Sequence, residues 1–170
     1  IGFRMPGRMD INQSKGRLWI HDVCHNPDGA KFFMAELARR NPHTQIVIDH
    51  VGLAQPFVPP APPEPFADLA NVLSLAELDN VAIKISGACT LSHQPFPYAD
   101  IWESLGKIFS VFGFGRCLWG TDWTRAVELL DYEQGVESFR VTDQLSDSER
   151  SELMGGSLEK IYNWSPTKGG

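Results

Sequence analysis

A chain of 170 residues, 42% hydrophobic and 21% charged, is long enough for one domain with a core and too apolar for intrinsic disorder. Its formal charge of −6, without any run of Lys and Arg, excludes a phosphate-backbone partner and points to a small molecule. No apolar stretch approaches the ~18 residues that span a bilayer, there is no signal-peptide pattern, and three cysteines without CxxC spacing read as reduced, so a cytoplasmic protein is expected.

Five apolar runs, at 1–4, 18–23, 46–50, 81–86 and 117–122, recur at roughly 30-residue spacing. Each is strand length, and most are separated by helical periodicity, the pattern of successive βα units and a parallel sheet. Only 13 residues, 5–17, join the first two runs, too few for a crossover helix with its loops, and that connection has no assignment. In the second run His21, Val23 and His25 alternate onto one face. At ~3.3 Å per residue the two imidazoles stand ~13 Å apart and cannot share a ligand. His25 lies nearer the strand end, where a substrate could meet it; a core histidine plus a loop histidine is the purely structural alternative.

Asn26-Pro27 caps and opens a helix carrying Ala30, Phe33 and Leu37 on one face, and Pro42 ends it. In the third run Ile46, Ile48 and His50 share a face, with Asp49 turned away. His50 is then a site imidazole or a structural histidine tied to a carbonyl. Residues 55–65 hold six prolines, either a stiff spacer or a rigid loop over a binding site. A helix is expected over 66–78.

In the fourth run Val81, Ile83 and Ile85 face one way, while Ala82, Lys84 and Ser86 face the other, toward a pocket or at the end of the core. A helix over 101–112 places Ile101, Leu105, Ile108 and Phe112 along one stripe and closes at Gly113 and Gly115. The fifth run ends in Trp119-Gly-Thr-Asp122, which delivers a carboxylate to a strand tip. Asp122 and His50, at the same ends of parallel strands, can converge on one space. A helix over 126–141 follows, then a capping box at Ser146-Asp-Ser-Glu149, a helix interrupted by Gly155-Gly156, and a short turn over 158–162. Arg4 and Arg125 lie at or just beyond the ends of the first and last runs, each a fork for a substrate carboxylate or a surface arginine.

With these residues assembled, the chain resembles the amidohydrolase-related metal-dependent hydrolases of TIM-barrel fold, in the branch that holds sugar lactonases and 2-pyrone-4,6-dicarboxylate lactonase. The matching stretches are IVIDHVG at 46–52, NVAIKISG at 80–87, RCLWGTDW at 116–123 and LSDSERSELMGGSLEKIYNW at 145–164. The resemblance implies an α/β fold in which 1–170 is one domain, the C-terminal part (about strands 4–8) of a (β/α)8 barrel lacking the first three strands. It implies Asp122 as general base and metal ligand, His50 as the sixth-strand catalytic and metal-binding histidine, and Lys84 and Ser86 as a KxSG signature beside the substrate. Residues 88–98 would add specificity. His21 and His25 keep either role on the fifth strand, or none. A divalent metal, zinc by preference, is implied, although some relatives work without one.

The departure is the HxH pair of the family's first strand, which none of the five histidines forms. Three readings follow: hydrolysis of a carboxylated or hydroxylated cyclic ester, metal-dependent decarboxylation of an aromatic or enol acid, and a catalytically silent partial barrel acting as a subunit or binding partner. A homo-oligomer is compatible with all three.

Overall fold

The computed structural model describes residues 9–14, 17–22 and 27–165, with side chains from residue 32 onward. Two short strands, β1 (Met9–Ser14) and β2 (Arg17–Asp22), pair antiparallel from Met9 opposite Asp22 to Ser14 opposite Arg17. This corrects the expectation that the run at 18–23 is a parallel strand of the main sheet. An antiparallel partner needs only a tight link, so the short connection before this run requires no crossover helix. The run at 1–4 lies outside the described residues.

The central sheet is parallel, in the order β3 (Ile46–Ile48), β4 (Val81–Lys84) and β5 (Cys117–Leu118). Ile46 stands opposite Val81, and Ile83 opposite Cys117. Both Ile83 and its neighbour Ala82 are fully buried, so both sheet faces are covered, as parallel pairing requires. The described sheet is thus three strands of an α/β fold rather than the five expected.

Helix α1 (Pro27–Arg40) packs Met34, Leu37 and Ala38 into the core, one position round from the expected stripe through Phe33. Asn80, just before β4, fixes that helix end by donating from Nδ2 to the carbonyls of Ala38, Asn41 and Thr44 at 3.0–3.1 Å. The helix expected at 66–78 is shorter, α2 (Leu69–Leu73) running into a 3-10 turn at Ser74–Glu77. In α3 (Trp102–Phe112), Leu105, Ile108 and Phe112 are buried below Ile101, the stripe the periodicity dictates. Gly113, at φ 69, lets the chain leave it. Arg116 follows and donates to the carbonyls of Ala76, Leu78, Val81 and Phe112, tying α3, the 3-10 turn and the start of β4 together.

Past β5 the expected 126–141 helix is two, α4 (Trp123–Ala126) and α5 (Tyr132–Arg140). The break comes from Asp131, whose carboxylate caps α5 by accepting from the backbone of Glu133 and Gln134. The capping box at Ser146 opens α6 (Asp147–Ser151) as expected. Gly155-Gly156 does not interrupt the helix; a π turn at Glu152–Gly156 carries it into α7 (Ser157–Tyr162). This wide turn lies against the end of β5, where the Trp119 N–H donates to the Leu153 carbonyl at 3.0 Å. Among the described residues no helix is long and apolar enough to cross a membrane.

Candidate functional site

Strands β3, β4 and β5 end on one side of the sheet, and the chain leaves two of them through backbone that non-glycine residues rarely adopt. His50 and Val51 follow β3 with φ of 53 and 61, and Asp122 follows β5 with φ of 55. Such conformations cost roughly 1–3 kcal/mol each and persist where surrounding contacts hold them. Here the contacts are polar. Ser86, past the end of β4 and 4% exposed, sits against His50: its Oγ is 3.0 Å from Nδ1 and accepts from the His50 N–H at 3.3 Å. Asp122 Oδ2 stands 3.5 Å from the same Nδ1. Serine and aspartate therefore address one ring nitrogen, unlike a nucleophilic triad, in which they take opposite nitrogens. Nε2 is left for a ligand.

The imidazole is 39% exposed and the Asp122 carboxylate 10%, so the ring opens to solvent while the carboxylate is recessed. Arg125, on α4, explains why the carboxylate holds its place. Its Nε donates to Asp122 Oδ2, Nη1 donates to the Pro56 carbonyl at 2.6 Å, and Nη2 donates to Gln55 Oε1 at 3.0 Å and Thr90 Oγ1 at 3.1 Å. Gln55 in turn donates to the His50 carbonyl at 2.9 Å. One guanidinium thus ties together the loops leaving all three strands. Gly87 makes room for it: a Cβ there would stand 2.6 Å from both Arg125 Nη2 and Gln55 Oε1, on backbone with φ of 72.

Lys84 meets Asp49 at 2.6 Å. Burial pulls its ammonium pKa down, but the hydrogen bond and charge of Asp49, with Tyr162 and Asp122 beyond, leave it above the usual value. Alternation put Asp49 on the face away from His50; the turn at His50 explains how the two diverge so sharply.

The structure therefore brings His50, Ser86 and Asp122 into one cluster. Arg125 joins it with protein partners on every donor nitrogen, and Lys84 stands at its edge in an ion pair. Arg4 and His25 lie outside the described residues; His21 is in β2, its side chain not described. Gln55, Gly87 and Thr90 are the participants that sequence reading did not single out. Their local signs were the glycine ending the KISG stretch and the segments 55–65 and 88–98, which hold Gln55 and Thr90. The proline segment and residues 88–98 line a cleft of about 590 Å³ beside this cluster.

Two of the described side chains, His50 and Asp122, are of metal-ligating type at the cluster, and no group of three or more that could hold a metal occurs among the described residues. A catalytic zinc takes three protein ligands and a water. These residues fit as part of a ligand set and do not complete one.

Comparison with known proteins adds the following. The Amidohydrolase family model matches residues 29–164. Over 105 residues the chain is 38% identical to 4-sulfomuconolactone hydrolase of Rhizobium radiobacter, covering 62% of this chain and 33% of that protein. Among solved structures, an amidohydrolase of Burkholderia multivorans with bound zinc superposes with a TM-score of 0.67 at 23% identity, covering 81% of this chain and 50% of that one. A Pseudomonas putida structure assigned as a 2-pyrone-4,6-dicarboxylic acid hydrolase gives 0.58 at 23% identity, over 78% and 49%. The chain thus spans a third of the length of the curated relative and about half of these structures.

Proposed function

The chain belongs to the Amidohydrolase family, and on that premise we propose that β3, β4 and β5 are the sixth to eighth strands of a (β/α)8 barrel whose site hydrolyses a lactone or similar cyclic ester. The observation that carries the reading is the convergence of His50 and Asp122, both in left-handed backbone at the C-terminal ends of parallel strands, where barrel enzymes place their chemistry. The relation to 4-sulfomuconolactone hydrolase supports a lactone as the substrate class.

The chemistry follows from the two oxygens of Asp122. Oδ2 is held by Arg125, and Oδ1 is the oxygen assigned to take a proton from water. The hydroxide adds to the lactone carbonyl and gives a tetrahedral oxyanion. Ser86 Oγ already accepts from the His50 backbone, leaving its hydroxyl proton for Nδ1. Nε2 then carries the ring proton and donates to the oxyanion. Collapse breaks the ring C–O bond, and the departing alkoxide recovers the proton from Asp122. The product is the open hydroxy acid.

The proposal for the whole protein includes a divalent metal, for which His50, through a deprotonated Nε2 in place of the hydrogen bond to the oxyanion, and Asp122 would be two donors, the rest coming from outside the described residues. Such an ion polarises a carbonyl and lowers the pKa of bound water.

The test is a panel of five- and six-membered lactones at neutral pH with the full-length protein and its Asp122→Asn variant. Turnover by the wild type and its loss in the variant are expected. No hydrolysis, with carbon dioxide released from aromatic carboxylic acids instead, would replace this reading with the decarboxylase one.

A further inference from the structure

The cleft beside the site has walls from three loops. Pro59 and Pro60 form one side, Leu129 and Leu130 another, and Phe96 and Tyr98 the third, with those two rings edge-to-face at 6.1 Å. Its volume, about 590 Å³, is that of a site for a drug-sized ligand. None of its lining residues is Asp, Glu, Lys or Arg. Two of the groups that could acquire charge stay neutral: burial pushes the Cys89 thiol up to about 11 and also raises the Tyr98 phenol. His93 is an exposed residue of the rim.

Continuity with the catalytic cluster runs through Thr90. This residue lines the cleft, and its hydroxyl accepts from Arg125, which holds Asp122. The nearby cations among the described residues are already used, Arg125 by Asp122 and the loop acceptors, Lys84 by Asp49. Among the described residues, none that lines this cleft offers a cation, so a substrate carboxylate directed into it would have no charge partner in that wall.

We propose that this cleft binds an uncharged apolar or aromatic substituent of the substrate, making the substrate class a lactone with a neutral side group rather than a compact polyanion. The proposal rests on the hydrolase reading above for its substrate, and on the cleft alone for its binding chemistry. The aryl group packs on Phe96 and the prolines, and Gln94 and Gln134 leave room for a hydroxyl or amide edge.

The experiment compares kcat/KM of the full-length protein for γ-butyrolactone, γ-phenyl-γ-butyrolactone and γ-carboxy-γ-butyrolactone, with calorimetric binding of the phenyl compound to Asp122→Asn protein. The phenyl lactone is expected to exceed the carboxylated one at least tenfold. Phe96→Ala should cut the ratio of phenyl to unsubstituted rates about tenfold, the size expected for lost apolar contact. Gln94→Lys should raise the carboxylated rate several-fold. Preference for the carboxylated lactone, or a phenyl ratio unmoved by Phe96→Ala, overturns the proposal while leaving the hydrolase reading intact. If no lactone is hydrolysed, the hydrolase reading fails and calorimetry decides the cleft: saturable phenyl binding weakened by Phe96→Ala supports it, and no binding overturns it.

Discussion

Two arginines occupy opposite ends of the same three-stranded sheet, and each is saturated by the protein. Arg116 sits before β5 and donates to backbone carbonyls only, with its guanidinium 5.3 Å from the Phe112 ring. Arg125 sits beyond β5 and holds a carboxylate, a glutamine, a threonine and one carbonyl. Around Arg116 the acceptors are the carbonyls where elements end, so it acts as a cap shared among neighbours. Around Arg125 two residues of the cluster carry positive φ and a glycine is indispensable. The same side chain closes the fold at one end and holds the recessed Asp122 carboxylate at the other. Strain gathers only at the second.

The largest effect that would sharpen this contrast is expected at Asp122. Asp122→Asn keeps the shape but removes the base, and kcat should fall about 10²–10⁴-fold in a lactone assay; undiminished turnover would break the assignment. Arg125→Met comes next, with kcat down about 100-fold and KM little changed, because its guanidinium faces protein. A large KM increase confined to carboxylated substrates would instead make Arg125 a substrate ligand. Gly87→Ala should give a similar but smaller kcat loss, since its Cβ displaces Arg125 and Gln55, together with a lower Tm from the left-handed backbone.

At the other end the expectation reverses. Arg116→Met leaves several carbonyls without their donor and should cost about 2–3 kcal/mol of stability by chemical denaturation, with kcat/KM within twofold of wild type well below Tm. The smallest effect is on pH dependence. Burial holds the Cys89 and Cys117 thiols up at about 11 and about 12 against a usual 9.0. Folded protein thus keeps protons that the unfolded chain releases, so this contribution is complete below pH 9 and is lost as pH rises through 11 to 12. A denaturation series from pH 7 to 11 should show stability falling only above about 9, and Cys89→Ser with Cys117→Ala should flatten it.

Much of the helical layer was legible in sequence. The Ile101, Leu105, Ile108 and Phe112 stripe and the Ser146 capping box are set by spacings within a turn or two, and both stand as expected. His50 and Asp122 were found because apolar runs ending in polar residues mark strand tips. The run at 18–23 was misplaced because strand length says nothing of a strand's partner, and the hairpin partner lay in a stretch too polar to read as a strand. The 126–141 helix was drawn as one because its apolar spacing continues through Asp131, whose cap acts only once the chain has turned there. Gly155-Gly156 was read as a break; packing against β5 holds a wide turn together instead.

By itself the sequence determined the three parallel strands, most of the helices and which two side chains stand at the strand ends, since hydrophobic periodicity, caps and the family's motifs are local. Only the tertiary structure decided what those side chains meet. Arg125 finds Gln55 and Thr90 at separations of 70 and 35 positions, and Ser86 finds His50 across 36. Competition among such distant donors and acceptors is resolved only when strand order brings the loops to one end of the sheet. That competition gave Arg125, expected from the sequence as a fork for a substrate carboxylate, the Asp122 carboxylate as a partner within the protein.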